Sequence, residues 1–91
     1  MAAILFYDYV PDILERRGPH RAAHLELVGA MHGAGRCLLA GATGEPVTGA
    51  VLVFATAADA EEFVREDPYG RAGLVAGHRI EPIAVVAPRA G

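Results

Sequence analysis

The sequence of 91 residues is poor in cysteine, in clustered positive charge and in long apolar runs. With Cys37 as the one cysteine, neither an intramolecular disulfide nor a zinc site built from cysteines can form. All eight basic residues are arginines scattered over a chain of net charge -3, so the basic stripe of a nucleic-acid-binding protein is missing. No apolar run approaches the ~20 residues of a membrane-spanning helix, and the N-terminus lacks the basic start of a signal peptide. These absences predict a soluble cytoplasmic protein that binds neither nucleic acid nor a membrane.

The hydrophobic fraction is high at 53%, but much of it is alanine rather than bulky side chains. A chain this short buries only about 60–65% of its unfolded surface, so its core is thin. We therefore expect a single domain over residues 1–91 that completes its core by pairing with a second copy.

The order of the predicted elements is β-α-β-β-α-β. Strands are predicted over 2–9, 36–42, 49–55 and 78–86, the last at a sheet edge or bulge because Pro82 lies inside it. A helical turn over 12–17 with Asp12 as its cap precedes a long helix from Pro19 to about Ala34, and a second helix starts at the cap Thr56. This order is typical of the α+β, ferredoxin-like fold, in which both helices cover one face of an antiparallel sheet. Two such sheets, paired face to face, would form a dimeric α+β barrel.

His24 is the strongest candidate for a chemical role. It shares the apolar stripe of the long helix with Leu27, Val28 and Met31, so it should point at the sheet, with Arg21 one turn before it. One interpretation is a buried histidine satisfied by a backbone carbonyl. The other is a general acid or base oriented by a carboxylate.

Asp67 is the candidate for that carboxylate. Pro68 ends the second helix at Asp67, and a negative charge at a helix C-terminus is unfavourable unless something compensates for it. Asp67 is then either a solvated residue that starts a turn, or a carboxylate aimed at a cation or at His24.

Gly41 and Tyr69 are weaker candidates for binding a ligand. Gly41 follows the apolar segment 37–40, where it forms either a bulge at the strand end or a close approach of the backbone to a ligand. Tyr69 either lines the mouth of a pocket with its hydroxyl or only packs. His20 and His24 have the spacing of a metal pair, but no third ligand is evident, so neither a metal nor a cofactor is predicted.

Several short segments, taken in order, resemble the YciI-like (YCII-related) family. They are Arg21-Ala22-Ala23-His24-Leu25, Gly35-Arg36-Cys37-Leu38-Leu39-Ala40-Gly41, Ala60-Glu61-Glu62-Phe63, Asp67-Pro68-Tyr69 and Ala72-Gly73-Leu74. The resemblance implies the ferredoxin-like fold, a dimeric α+β barrel and an active site of one histidine and one aspartate, here His24 and Asp67. It also implies a relation to muconolactone-isomerase-type barrels and to lyases that eliminate chloride from chlorinated hydroquinones. The sequence departs from the family at Ala42, where proline is usual, so the substrate class does not carry over.

Two main hypotheses for the function follow. The first is a cofactor-independent enzyme of isomerase, lyase or hydrolase type, in which His24 transfers a proton, Asp67 orients it, and Arg21, Gly41 and Tyr69 bind a small molecule. The second is a non-catalytic binding or accessory module that holds a small ligand or a protein partner. A further hypothesis is a stand-alone structural dimer. Catalysis requires that His24 and Asp67 lie within hydrogen-bonding reach and open on a pocket, whereas binding requires only the pocket.

Overall fold

The structure, a computed structural model, describes residues 1–88, so the last three residues of the predicted domain lie outside the described residues. Four strands and four helices follow one another as β1 Ala2–Tyr9, α1 Ile13–Arg16, α2 Gly18–Gly33, β2 Cys37–Thr43, β3 Gly49–Phe54, α3 Ala57–Glu66, α4 Pro68–Arg71 and β4 Val75–Ile83. Among these helices, none has both the length and the apolar character needed to cross a membrane.

The four strands form one antiparallel sheet in the order β2-β3-β1-β4. This order confirms the ferredoxin-like prediction, since β1 and β3 occupy the centre and the two helical connections cross the same face. The edge position predicted for the last strand from Pro82 is also confirmed. The strand itself runs over Val75–Ile83 rather than 78–86, because its first residues pair with the end of β1.

The core lies between the sheet and the helices α2 and α3. Alternate residues of β1 and β3 point into it, and Met31 of α2 and Phe63 of α3 cover them. On the opposite face of β1, Ile4 and Phe6 remain half-buried. Leu39 of β2, which pairs with Val53 of β3 on that opposite face, is 63% exposed. The sheet thus has one face covered by helices and one open face.

The two predicted helix caps have different outcomes. The Thr56 hydroxyl accepts a hydrogen bond from the backbone N–H of Asp59 at 3.1 Å, as predicted for the start of α3. Asp12 precedes α1 as predicted, but its side chain makes no capping hydrogen bond. An N-cap residue usually has an extended backbone, whereas that of Asp12 (φ -98°, ψ 29°) is not extended. Its carboxylate pairs with Arg16 instead, with 3.6 Å between Oδ1 of Asp12 and Nη1 of Arg16.

Gly41 lies inside β2 and not after its end. It pairs with Val51 of β3, and the ladder continues through Ala42 to Thr43. The irregularity in this ladder falls between Cys37 and Leu39, so the prediction of a bulge at Gly41 is wrong. The backbone N–H and C=O groups of β2 continue to find partners along the apolar run of β3, which extends the strand beyond residue 40.

Candidate active site

The structure brings His24 and Asp67 together. His24 lies in the middle of α2 and Asp67 at the junction of α3 and α4, and Nδ1 of His24 is 2.7 Å from Oδ1 of Asp67. Both side chains are withdrawn from solvent: His24 is 8% exposed and Asp67 is 0% exposed. Two of the interpretations left open by the sequence are therefore wrong, the solvated aspartate and the histidine satisfied by a backbone carbonyl.

Asp67 is also the N-cap of α4. Its Oδ1 accepts a hydrogen bond from the backbone N–H of Tyr69 at 3.0 Å. From the sequence, the carboxylate of Asp67 was expected at the C-terminus of a helix, which is unfavourable for a negative charge. Asp67 does end α3, but it also begins α4. The N–H groups of this new turn favour a carboxylate, and Pro68 fits the turn because its first position needs no N–H donor.

The ring of His24 is fixed by aromatic neighbours as well as by Asp67. It stacks on the ring of Tyr69, with centroids 3.8 Å apart and planes 4° from parallel, and Phe63 meets it edge-on at 6.0 Å. A carboxylate only accepts hydrogen bonds, so Asp67 favours the tautomer that carries its proton on Nδ1. Nε2 of His24 is then left as an acceptor for another molecule.

A cleft of about 190 Å³ opens beside His24, between α2 and the strands β2 and β3. Its walls include four of the five residues that the sequence analysis selected, namely Arg21, His24, Gly41 and Tyr69. Asp67 is not on the wall, because it lies behind the histidine. Tyr69 is only 2% exposed, so of the two roles considered for it, the hydroxyl at the pocket mouth is wrong, and the residue packs at the inner wall. Within residues 1–88, no three His, Cys, Asp or Glu side chains are placed to hold a metal ion.

Two guanidinium groups, those of Arg17 and Arg21, border the cleft. Arg17 is half-buried and Arg21 exposed. Neither forms a salt bridge with a carboxylate in the described part of the chain. Arg17 was not predicted as a site residue, because it lies between α1 and α2 and outside the long helix predicted from the sequence. Together the two guanidinium groups make this cleft favourable for an anion.

Two tyrosines of β1, the buried Tyr7 and the half-buried Tyr9, lie near the His24–Asp67 pair and were not predicted as site residues. Burial, and after it the negative charge of Asp67, raises the pKa of each phenol, while Arg17 and Arg21 partly oppose the rise at Tyr9. Both therefore remain protonated at ordinary pH and can donate hydrogen bonds. The alternation of β1 already placed them on one face, and that face proves to be the covered one.

Comparison with known proteins gives a family and a fold. A family model described as the YCII-related domain matches residues 1–84. Among solved structures, 5-chloro-2-hydroxyhydroquinone dehydrochlorinase from Burkholderia phenoliruptrix, in complex with 2,5-dihydroxybenzoquinone, is similar with a TM-score of 0.76. It shares 23% sequence identity over 92% of this chain and 94% of that chain.

Two further similar structures have no stated activity. One is a protein of unknown function from Nitrosomonas europaea, with a TM-score of 0.56 and 18% identity over 94% of this chain and 88% of that one. The other is an uncharacterized NIPSNAP-like domain protein from Burkholderia xenovorans, with a TM-score of 0.52 and 16% identity over 94% and 84% of the respective chains. No curated protein matches the chain. At these identities the likenesses show the fold, a ferredoxin-like arrangement of the kind found in dimeric α+β barrels.

Proposed function

The chain belongs to the family of YCII-related domains, and on this basis we propose that it is an enzyme that transfers protons on a small anionic molecule without a cofactor. The observation that carries the proposal is the buried hydrogen bond between His24 and Asp67. Because His24 also lines the cleft, this bond orients a histidine that a bound molecule can reach. A histidine held in one tautomer and backed by a carboxylate is suited to general acid–base chemistry near neutral pH.

In the proposed mechanism, Nε2 of His24 takes a proton from the bound molecule. The imidazolium that forms keeps its Nδ1–H bond to Asp67, whose negative charge stabilises it. His24 then returns the proton to another atom of the same molecule or to a leaving group. This sequence of steps covers an isomerase or a lyase, and a hydrolase if the histidine activates water instead.

The walls of the cleft favour a small, flat molecule with at least one negative charge. The stacked rings of His24 and Tyr69 form one side of the cleft, and the side formed by the strands is apolar, with Ala40, Ala50 and Leu52 among its residues. Arg17 and Arg21 stand at its border, where they can balance the charge of an enolate or a phenolate. The bound 2,5-dihydroxybenzoquinone in the similar dehydrochlorinase structure is a molecule of this type, which supports hydroxylated rings as the first compounds to test.

We also propose that a second copy of the chain covers the open face of the sheet. Ile4, Phe6 and Val51 are only half-buried on that face, and a pair of copies would remove them from water. The site and the open face lie on opposite sides of the sheet. Pairing would therefore leave the cleft accessible.

Deuterium exchange tests the proposed proton transfer on a set of compounds rather than on a single substrate. The protein is incubated in D₂O with hydroxylated and chlorinated quinols and with small aromatic carboxylates, and NMR follows deuterium at their C–H positions. We expect catalysed exchange in at least one compound and its loss in His24→Gln. The matched control is His20→Gln, one turn earlier on α2 and not on the cleft wall. Exchange that survives in His24→Gln would contradict the assigned role of His24.

A non-catalytic module that binds small ligands is the second candidate. The observation in its favour is that the His24–Asp67 bond also ties α2 to the α3–α4 junction, which is a structural role sufficient in itself. The same samples separate the two functions, because a binding module shifts ligand resonances but catalyses no exchange with any compound of the set.

A further inference from the structure

One oxygen of Asp67 and two buried tyrosine hydroxyls lack hydrogen-bond partners among the described residues. Oδ1 of Asp67 accepts from both His24 and the backbone N–H of Tyr69, whereas Oδ2 is buried and has no hydrogen-bond partner among the described residues. The hydroxyl of Tyr7 is likewise buried and unpartnered within residues 1–88. A buried acceptor and a buried donor that are both left over in one core require an explanation, since each costs free energy when it stays unsatisfied.

Tyr7 lies on the covered face of β1, close to Asp67. Its ring packs against Phe63 at 6.1 Å and against Tyr9 at 5.9 Å, and the side chain is 3% exposed. After the larger effect of burial, the negative charge of Asp67 contributes to the raised pKa of Tyr7. Tyr7 is therefore a protonated phenol within reach of an anion.

We propose that Tyr7 is a positioning residue whose hydroxyl donates a hydrogen bond to Oδ2 of Asp67, and so holds the carboxylate in the orientation that receives His24. The consequence for catalysis rests on the proposed function. The proposed hydrogen bond itself does not, since it rests on the buried atoms that lack partners.

The hydroxyl of Tyr69 is a competing donor because it is buried and unpartnered too, within the same described residues. The backbone N–H of Tyr69 already binds Oδ1, and its ring is held flat against His24. Tyr69 thus already meets the pair through its backbone and its ring, whereas the hydroxyl of Tyr7 has no other role among the described residues, so we assign it to Oδ2.

Three donors around one buried carboxylate fix both its charge and its direction. His24 and the backbone N–H of Tyr69 donate to Oδ1, and Tyr7 donates to Oδ2. Rotation of the carboxylate would break these hydrogen bonds, so it is held in one orientation. In Tyr7→Phe the packing of the ring is kept, but Oδ2 stays buried without a donor, which is costly for a charged group. The side chain then turns to satisfy Oδ2, and Nδ1–H of His24 loses its fixed acceptor.

A crystal structure and tyrosine NMR test the hydrogen bond directly. We expect a distance of about 2.5–2.7 Å between the Tyr7 hydroxyl and Oδ2, as is usual for a neutral donor and a carboxylate. In ¹H NMR, the hydroxyl proton of Tyr7 should exchange slowly with water and resonate downfield, and Asp67→Asn should move it upfield, because an amide oxygen is a weaker acceptor than a carboxylate. A separation beyond hydrogen-bonding reach, or a hydroxyl resonance unchanged in Asp67→Asn, would overturn the proposal.

Tyr7→Phe tests the positioning role. ¹⁵N NMR should show one His24 tautomer, with the proton on Nδ1, in the wild type and a mixture in Tyr7→Phe. With any compound that the wild type turns over, kcat should fall about 10- to 100-fold while KM changes little. Cys37→Ala, which removes another buried group of the same core, should keep the single tautomer.

A Tyr7→Phe protein with the wild-type tautomer would overturn the positioning role, even if its stability were reduced. The tautomer and the distance are measured without substrate. If no compound shows exchange even in the wild type, the proposed function fails, while those two measurements still decide whether Tyr7 holds Asp67.

Discussion

At the scale of single residues, Asp67 combines a local and a distant interaction. Its Oδ1 begins α4 through the backbone N–H of Tyr69 and meets His24 of α2 across the core. The cap fixes the carboxylate relative to its own backbone, so the side chain has lost most of its freedom before His24 binds it. This local restraint reduces the entropic cost of holding the pair, which is an advantage for a site that must keep one geometry.

Arg17 and Arg21 are expected to bind the negative charge of the ligand. For an anionic compound, Arg17→Gln should weaken binding about 10-fold, since this guanidinium is half-buried. The exposed Arg21 should contribute less, at most about 5-fold in Arg21→Gln. Titration calorimetry with one anionic and one neutral compound measures both effects.

Arg16→Gln is the matched control for these two variants. Arg16 carries the same charge next to Arg17, but it faces Asp12 and does not line the cleft. Its replacement should leave binding of either compound unchanged. Equal weakening in all three variants would mean that only the net charge matters and that the cleft has no specific anion site.

The sequence identified His24 and Asp67 but not Arg17, Tyr7 or Tyr9. His24 stood out because a polar residue on an apolar stripe is unusual, and Asp67 because its position before Pro68 marks a helix end. Arg17 lies at a break between two helices, so its direction depends on how α1 joins α2. The two tyrosines look like ordinary core residues until the position of Asp67 is known.

At the scale of elements, the cap of α3 stabilises the helix that ends at the site. Thr56→Ala removes the acceptor for the N–H of Asp59 and should cost about 1 kcal/mol in the free energy of unfolding. Asp12→Ala is the matched comparison, because Asp12 precedes α1 without a capping bond. It should cost less than about 0.5 kcal/mol, the usual contribution of an exposed i,i+4 pair. Urea denaturation measures both, and equal costs would contradict the different roles of the two residues.

Arg36, which precedes β2, is tied to α3 by two carboxylates. Its guanidinium donates to Asp59 at 2.8 Å and also to Glu62. The hydrogen bond from Arg36 lowers the pKa of Asp59, although burial partly opposes the shift. A carboxylate with a lowered pKa stabilises the fold above its ordinary value of 3.8, and this contribution is lost as the pH falls through the lowered value.

Arg36→Gln should therefore destabilise the protein most at neutral pH. Its difference from the wild type in the free energy of unfolding should shrink as the pH falls below about 4. Urea denaturation at a series of pH values gives this difference. Arg65→Gln, on α3 but without an ion pair among the described residues, should show no such trend. A difference for Arg36→Gln that grows in acid would contradict the assignment.

The order of the elements was predictable, but some of their ends were not. The strands β1 and β3 were predicted nearly to the residue, because each coincides with an apolar run that is visible in the sequence itself. The start of β4 at Val75 and the extension of β2 to Thr43 depend on pairing with neighbouring strands. Asp12 failed as a cap because side-chain capping depends on a backbone conformation that residue type alone does not fix.

At the scale of the whole molecule, the open face of the sheet predicts a homodimer. Light scattering at micromolar concentration should report about twice the chain mass of 9.5 kDa. Val51→Glu, which places a carboxylate opposite Phe6 on that face, should shift the mass toward that of one chain. Thr56→Ala, on the opposite side of the sheet, should not. A wild-type protein that is monomeric at every concentration would contradict the prediction.

The fold alone does not determine the activity of this chain. Ferredoxin-like domains have many unrelated functions, and two of the similar structures have no stated activity. We infer an enzyme from the site instead: a buried His24–Asp67 pair, a cleft, and two arginines at its border that form no salt bridge within residues 1–88. In the thin core of this small chain, the rings of Tyr69 and Phe63 pack against His24 and restrict the positions that its ring can take.

A double-mutant cycle on His24 and Asp67 tests the central claim most directly. kcat/KM is measured for the wild type, His24→Ala, Asp67→Asn and the double variant, with a compound that the wild type turns over. We expect losses of about 10²- to 10⁴-fold for His24→Ala, and no further loss when Asp67→Asn is added, because the two residues act as one unit. Losses that multiply in the double variant would show that His24 and Asp67 act independently and would contradict the proposed mechanism.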